Sequence, residues 1–373
     1  MSRRHLVAAS RIIESSPRDC VVHSQVRFPR CGSEMAPDVA VVIPYYNGSK
    51  FIRRSVESVL AQTIRPAEFV VVNDGSEADE AAFLHKLAVE LNFTVIDKDN
   101  GGQGSARNAG VAATRAPFIC LLDQDDIFLP EHIEILRRAV AADARFGWVY
   151  GDLIEADGDG NVVRTSMLSE HGRGHPKRSI FDMLSSDMFV LPSASMISRK
   201  AFESVGGFDE QFTGYEDDDL FLRMFRAGFT NSFVASPVTV WCINTDSTSF
   251  SMRMSRSRLR YFKKLVSSMP NEPLRNRYYL RDCLVPRFRR NILGEAFLAV
   301  ARAHTPRGTM LAPHRDELIQ MAKEFCSIVV ADDYVSPKQK RHLRMQAAIV
   351  SSGSRLMCEA ALFLSRKMGR SPL

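Results

Sequence analysis

The sequence predicts an α/β fold: a mostly parallel sheet with flanking helices, followed by a C-terminal helical, basic region. Three observations carry this. Short apolar runs alternate with helix-length stretches from residue 39, polar clusters close four successive runs, and basic helical sequence takes over beyond residue 250. Strands alternating with helices imply βαβ units and therefore parallel pairing.

In order, VAVVIP (39–44) is a strand and FIRRSVESVLAQ (51–62) the helix behind it. EFVVVND (68–74) and EADEAAFLHKLAVEL (77–91) form the next pair, and FTVID (93–97) leads through a glycine-rich loop into the helix SARNAGVAATR (105–115). FICLLD (118–123) reads as a fully buried strand, because a short continuous apolar run suits the middle of a parallel sheet. The helix PEHIEILRRAVAA (130–142) follows, with Pro130 at a position that tolerates a missing N–H. WVYGD (148–152) is a further strand. EADGDGN (155–161) reads as a turn, and HGRGHPKR (171–178) as a mobile basic loop with solvated His171 and His175. SASMISRKAFESVGGF (193–208) reads as strand, helix and glycine stop. EDDDLFLRMFRAG (216–228) is an amphipathic helix whose acidic first turn complements the helix dipole, with Gly228 as C-cap. SFVASPVTVW (232–241) is strand-like.

The 373 residues allow two domains, or one with an appendage. The expected division is a disordered leader over 1–38, a catalytic or binding domain over 39–250 and a helical basic region over 251–373. Met35 lies four residues before the first strand and is a candidate true start. No apolar stretch is long enough to cross a bilayer. Seven scattered cysteines without a CxxC pair suggest neither a zinc site nor a disulfide framework, and fit a cytoplasmic protein. The net charge is +6, but residues 251–290 hold twelve Lys/Arg against Glu272 and Asp282, a local +10 that leaves −4 for the rest. With Tyr261, Phe262, Tyr278, Tyr279 and Phe288 interleaved, that segment reads either as a solvated helical surface or as a peripheral contact with an anionic membrane. Nothing resembles a nucleic-acid-binding module.

Asp123, Asp125 and Asp126 stand where the fourth strand meets its loop, at the carboxyl edge where open α/β sheets bind ligands. Hard oxygen ligands there suit Mg²⁺ or Mn²⁺ carrying a diphosphate, although an Asx turn and helix cap use the same residues. The other loops of that edge are Pro44-Tyr45-Tyr46-Asn47-Gly48, Asn73-Asp74-Gly75-Ser76 and NGGQGSARN (100–108). Tyr45 or Tyr46 can stack on a base, Asp74 can accept from a base N–H or ribose hydroxyl, and Arg107 can steady phosphate charge. Turn chemistry explains each loop singly, but not the convergence of all four on one crevice. The first turn lacks G-x-G-x-x-G, and no G-x-x-x-x-G-K-[ST] occurs, which disfavours dinucleotide enzymes and excludes P-loop NTPases. A nucleotidyltransferase would carry a glycine-rich, basic loop where PYYNGSK stands.

VAVVIPYYNG, VVNDGS, NGGQGSARNAG, LLDQDD, GGFDE and GYEDDDLFLRM occur in the order and spacing of family 2 glycosyltransferases, which the chain resembles over about residues 39–250. The resemblance implies the GT-A fold, a Rossmann-like sheet. It also implies metal-dependent, inverting transfer of a sugar from a nucleoside diphosphate donor, UDP being favoured, to a hydroxyl of a glycan or lipid-linked acceptor, as in cell-envelope or exopolysaccharide synthesis. Pro44, Tyr46, Asn47, Asp74, Gly102, Arg107, Asn108 and Asp123 then form the donor-binding set. Asp123 and Asp125 match the D-x-D motif, with Asp125 favoured as the direct ligand of Mg²⁺ or Mn²⁺. Asp217 is the first choice for general base and Glu216 the second. The chemistry agrees: an inverting displacement needs a carboxylate to take the acceptor proton and positive charge to hold the departing diphosphate.

One departure stands out. Many members carry a histidine in a pattern resembling Y-R-x-H-x-x-S-x-S, where WCINTDSTS (241–249) has Asn244. That makes a catalytically silent nucleotide-sugar-binding or scaffolding protein the alternative reading, against which the retained acids argue.

Overall fold

The computed structural model describes residues 38–169, 174–244, 251–301 and 305–367. The leader (1–37), His171 and the end of the expected 39–250 span lie outside them. Asp38, counted with the leader, is inside the fold: its carboxylate pairs with Arg137 at 2.7 Å.

The strands are β1 (Val39–Tyr45), β2 (Glu68–Asp74), β3 (Thr94–Lys98), β4 (Phe118–Leu121), β5 (Ile127–Phe128), β6 (Phe146–Asp157), β7 (Val162–Arg164), β8 (Ser195–Ser198) and β9 (Thr230–Ile243). The helices are α1 (Ile52–Leu60), α2 (Ala78–Leu91), α3 (Gln103–Ala112), α4 (His132–Arg138), α5 (Ile180–Leu184), α6 (Arg199–Ser204) and α7 (Glu216–Arg226). In the C-terminal part they are α8 (Met252–Ser268), α9 (Val285–Ala301), α10 (Pro306–Leu311), α11 (Arg315–Ala331), α12 (Pro337–Ser351) and α13 (Arg355–Lys367).

One sheet runs β3-β2-β1-β4-β8-β6-β9-β5, with β7 beside β6. The first four strands pair in parallel, as the βα rhythm predicts. β8 then enters antiparallel between β4 and β6, and β6 pairs parallel with β9. Every residue of β1 is buried, since it lies between two strands and is covered on both faces. Its side chains alternate between two cores: Val41, Ile43 and Tyr45 join Ile52, Val56 and Val71 on one side, and Val42 joins Val72, Ala106 and Leu121 on the other. α3 approaches unusually closely, and Gly110 is the reason. A Cβ there would lie 2.3 Å from Val42 Cγ1.

Residues Pro37–Leu373 make one compact unit. The core that contains Trp148 and Phe221 continues through Phe262, Phe288, Phe297 and Phe325, so α8, α9 and α11 share it with the sheet. Two of the twelve cations of the basic segment are turned inward. Arg258 and Arg287 are buried, against Glu295 and Asp218 respectively.

Some local readings shift. The 130–142 helix begins at His132, two residues after Pro130, and ends at Arg138. His132 is buried flat against the Phe128 ring, and burial pushes its pKa down to about 3, so it is neutral. β6 extends well past 152 because it has partners on both sides, and the expected turn shrinks to the β6–β7 hairpin. His175 is partly buried rather than free in a loop. Its Nδ1 lies 2.7 Å from the Tyr150 hydroxyl and its ring packs on Phe233, filling a gap beside β9 that the loop's polar composition did not reveal.

Candidate active site

The loops after β1, β2, β3 and β4 meet at one edge, as parallel pairing requires. The two tyrosines after Pro44 separate there. Tyr45 is buried and donates to Glu80 Oε2 at 2.7 Å, so it cannot stack on a ligand; Tyr46 is 44% exposed. Pro44 is buried within β1. Gln124 holds the Tyr46 backbone from the loop after β4: Tyr46 N donates to Gln124 Oε1 at 2.9 Å and Gln124 Nε2 donates to Tyr46 O at 3.2 Å. Asn47, at φ 46°, accepts from Glu77 N through Oδ1 at 2.9 Å, which ties the first loop to the second.

Asp74 organises the glycine-rich loop. Its Oδ1 accepts from Gly101 N at 2.9 Å and its Oδ2 from Gly102 N at 2.7 Å, and Gly102 needs φ +86° to present that N–H. Lys98 Nζ also reaches Oδ1 at 2.7 Å. The β2–β3 register sets Lys98 opposite Asp74.

Arg107 links the loop after β4 to the head of α7. It is buried, its Nη2 donates to Asp123 Oδ1 at 2.6 Å and its Nη1 to Glu216 Oε1 at 3.1 Å. Gln103 Nε2 donates to the same Asp123 oxygen at 2.8 Å, and Asp123 N donates to Ser193 Oγ at 3.1 Å. Neither Gln103 nor Ser193 was singled out from sequence. Gln103 shares a motif with Arg107, while Ser193 arrives only through the antiparallel β8. Asn108 acts structurally, since its amide bonds the backbone of Phe208 on both sides and Glu210 Oε1, clamping the turn before α7.

The aspartates after β4 divide. Asp126 is buried and accepts from Cys242 N at 3.0 Å, which fastens the loop to β9. Burial and its acidic neighbours hold its carboxyl well above the usual range. Burial and then Asp123 also raise Asp125, against the Asn244 amide, whose Nδ2 donates to Asp125 Oδ2 at 3.0 Å.

The acids opening α7 divide as well. Glu216 goes to Arg107, Asp218 to Arg287, and Asp219 to Arg223 at 2.7 Å and Lys264 at 2.6 Å. Asp217 is the least buried of the four and has no cation at ion-pair distance among the described residues. Burial and the Glu216 charge raise its pKa to about 7. Glu216 is raised too, by burial against the opposing Arg107, and its Oε2 is buried without a hydrogen-bond partner among the described residues. A partly exposed carboxyl with a near-neutral pKa, next to Glu216 and its Arg107–Asp123 link, can exchange a proton with a bound hydroxyl.

The family model described as glycosyl transferase family 2 matches residues 40–206, and one described as the N-terminal domain of galactosyltransferase matches 189–241. An uncharacterised glycosyltransferase of Bacillus subtilis, YwdF, is 32% identical over half of this chain and 67% of its own length. The chain belongs to glycosyltransferase family 2. This family 2 transferase is also 30% identical to the uncharacterised glycosyltransferase RP339 of Rickettsia prowazekii, covering 51% of this chain and 59% of that one. It is 32% identical to an Escherichia coli chondroitin synthase, covering 52% of this chain and 27% of that one. The transferase thus spans about a third to three-fifths of the length of several curated relatives it matches. Among solved structures, S. aureus TarS 1–349 in complex with UDP-GlcNAc aligns with a TM-score of 0.56 at 16% identity, over 89% of this chain and 92% of that one. The mannosyltransferase PcManGT of Pyrobaculum calidifontis, in complex with GDP-Man and Mn²⁺, aligns at 0.53 and 14% identity, over 85% and 87%. These structural likenesses concern the fold.

Proposed function

We propose that this transferase moves a sugar, with inversion, from a nucleoside diphosphate donor to a hydroxyl of a glycan or lipid-linked acceptor, in building cell-envelope or extracellular polysaccharide. UDP is the favoured carrier. The observation that carries the reading is Arg107, one buried guanidinium touching both Asp123 and Glu216. It ties the loop after β4 to the head of α7, so that the two acidic clusters meet at one place. Asp217 takes the acceptor proton as the glycosidic bond forms, and its near-neutral pKa suits that transfer. Glu216, held by Arg107, orients the head of α7. Tyr46 offers an exposed ring to the base, and the Asp74-braced Gly101–Gly102 turn shapes the nucleotide pocket. The chondroitin synthase relative supports a polysaccharide product, and the neighbours solved with UDP-GlcNAc and GDP-Man support a nucleotide-sugar donor.

Asp125 and Asp123 are the residues to hold Mg²⁺ or Mn²⁺. No group of three or more His, Cys, Asp or Glu is arranged as a cage among the described residues. An Mg²⁺ held by one or two carboxylates takes the rest of its sphere from substrate phosphates and water. Burial first and then the Asp123 charge raise Asp125, and a cation relieves the second of these. When bound, the ion supplies charge neutralisation for the departing diphosphate.

A thermal-shift panel of nucleotide-sugars with and without Mn²⁺ tests the reading. Stabilisation by UDP-sugars, increased by Mn²⁺, is expected, with Asp125→Ala losing the Mn²⁺ increment while keeping the nucleotide shift. No shift with any nucleoside diphosphate sugar, or an intact Mn²⁺ increment in the variant, would refute it.

A further inference from the structure

The cations of the C-terminal region fall into two groups. Of the twelve in 251–290, eight are ion-paired within the fold: Arg256, Arg258, Lys263, Lys264, Arg275, Arg277, Arg281 and Arg287. Of the four cations lining the shallow cavity of about 610 Å³ over α8, Arg256, Lys263 and Lys264 face a carboxylate and Arg260 donates to the Gln211 carbonyl. The other four, Arg253, Arg260, Arg289 and Arg290, are divided between α8 and α9, where no large apolar side chain is exposed among the described residues.

α12 is different. Lys338, Lys340, Arg341 and Arg344 have no carboxylate at ion-pair distance among the described residues. Lys338, Arg341 and Arg344 are exposed. Lys338, Arg341 and Met345 recur at i, i+3 and i+7, one outward face, while Leu343, Gln346 and Val350 point inward. α13 buries Cys358 and Leu362, yet Leu356, Met357 and Phe363 are 79%, 48% and 64% exposed. Leu356, Ala360 and Phe363 share a face at i, i+4 and i+7. The two faces adjoin. Met357 Sδ lies 3.9 Å from Ser352 Oγ and Cys358 Sγ 3.9 Å from the Ile349 carbonyl, so the exposed side chains of α13 begin beside the last turn of α12.

Unpaired cations beside protruding apolar side chains on adjoining helices match one kind of surface, the boundary between anionic headgroups and acyl chains. A second copy of this chain matches it poorly, because a two-fold contact through the same patch would set the unpaired cations of both copies against each other. We infer that the α12–α13 hairpin is a membrane-contact surface, its Lys and Arg side chains meeting anionic phospholipid headgroups and Leu356, Met357 and Phe363 entering the headgroup–acyl boundary. The contact is peripheral, since no helix among the described residues is long and apolar enough to cross a bilayer. It lies in a different part of the chain from the donor residues and does not depend on their assignment.

Flotation of the full chain tests it, with vesicles of phosphatidylcholine alone and of a phosphatidylcholine–phosphatidylglycerol mixture. The protein floats with the anionic vesicles at low salt and not with the neutral ones, and high salt weakens the association. Each Lys or Arg near an anionic surface contributes about fivefold to partitioning, so combining Lys338→Ala, Arg341→Ala and Arg344→Ala lowers it on the order of 100-fold. Combining Leu356→Ser with Phe363→Ser lowers it at both salt concentrations, and both variants keep the parent's donor turnover in solution. No flotation of the parent at low salt overturns the inference, as does undiminished flotation of the triple variant. A dimer by light scattering that Leu356→Ser with Phe363→Ser dissociates would give the face to a second copy instead.

Discussion

Replacing Asp217 with asparagine keeps the shape of the α7 N-terminus and removes the one acid of that run not matched to a cation. Burial and Glu216 raise its pKa to about 7 from an ordinary value of 3.8. The base form therefore dominates above about pH 7, and below it the fraction able to accept a proton falls about tenfold per pH unit. Turnover of a nucleotide-sugar donor, followed by nucleotide release, should show that acid limb in the parent. Asp217→Asn should lose about 10²- to 10⁴-fold of kcat, the range a general base supplies, while keeping its nucleotide-induced thermal shift. Asp218→Asn gives an independent check. It leaves the buried Arg287 charge without its carboxylate, so the Asp217 proton is lost more easily and the acid limb moves to lower pH. Stability moves the other way from activity. A carboxyl whose folded pKa is raised contributes stability that is full below the unfolded value near 3.8 and lost as pH rises through about 7. Asp217→Asn should therefore melt higher than the parent above neutral pH. Activity of Asp217→Asn within about tenfold of the parent, or an acid limb unmoved in Asp218→Asn, would refute the assignment.

Two further expectations concern the frame that holds the site. Asp152 is buried and accepts from Leu153, Met167, Leu168 and Ser169 N–H groups and the Ser166 hydroxyl. Burial alone would raise its pKa, but these bonds, led by Ser166, hold it well below the usual range. Asp152→Asn should cost about 2–4 kcal/mol by denaturant unfolding at neutral pH. Because the folded pKa is depressed, that stability is present above the unfolded value and is lost as pH falls, so the gap to the parent should close in acid; a gap constant with pH would contradict this. Gly110→Ala should cost about 1–3 kcal/mol, because its Cβ would meet Val42 Cγ1 at 2.3 Å and Val72 Cγ2 at 3.0 Å; Val42→Ala should recover part of the loss, and additive losses would contradict the contact.

Much of the site's location was legible without coordinates. Residues 39–128 alternate in a way that forces parallel pairing, and parallel pairing sends every strand-end loop to the same edge. Pro44, Asp74, Gly102, Arg107, Asp123 and Asp125 could therefore be grouped from their positions after successive apolar runs. What could not be read was which partner each side chain chooses. Tyr45 and Tyr46 are the same residue type at adjacent positions, and only the pleat decides that one is buried against Glu80 and the other open. Asp123, Asp125 and Asp126 lie within four residues, and which partner each takes is set by the fold: one faces Arg107, one Asn244 and one the backbone of β9.

The sequence by itself determined the element order, the family and the edge of the sheet that carries the chemistry, because hydrophobic periodicity and turn residues act over a few positions. Tertiary structure alone decided the antiparallel entry of β8 that delivers Ser193, the register that sets Lys98 against Asp74, and the reach of Arg107 across more than a hundred residues to Glu216. It also decided that Lys264 of α8 and Arg287 of α9 pair with the acids of α7, while Lys338, Arg341 and Arg344 of α12 have no carboxylate at ion-pair distance among the described residues. The physical reason is the same in each case. A charge is balanced by whatever the fold brings within a few ångströms, and that neighbour is set by packing between segments far apart in the chain.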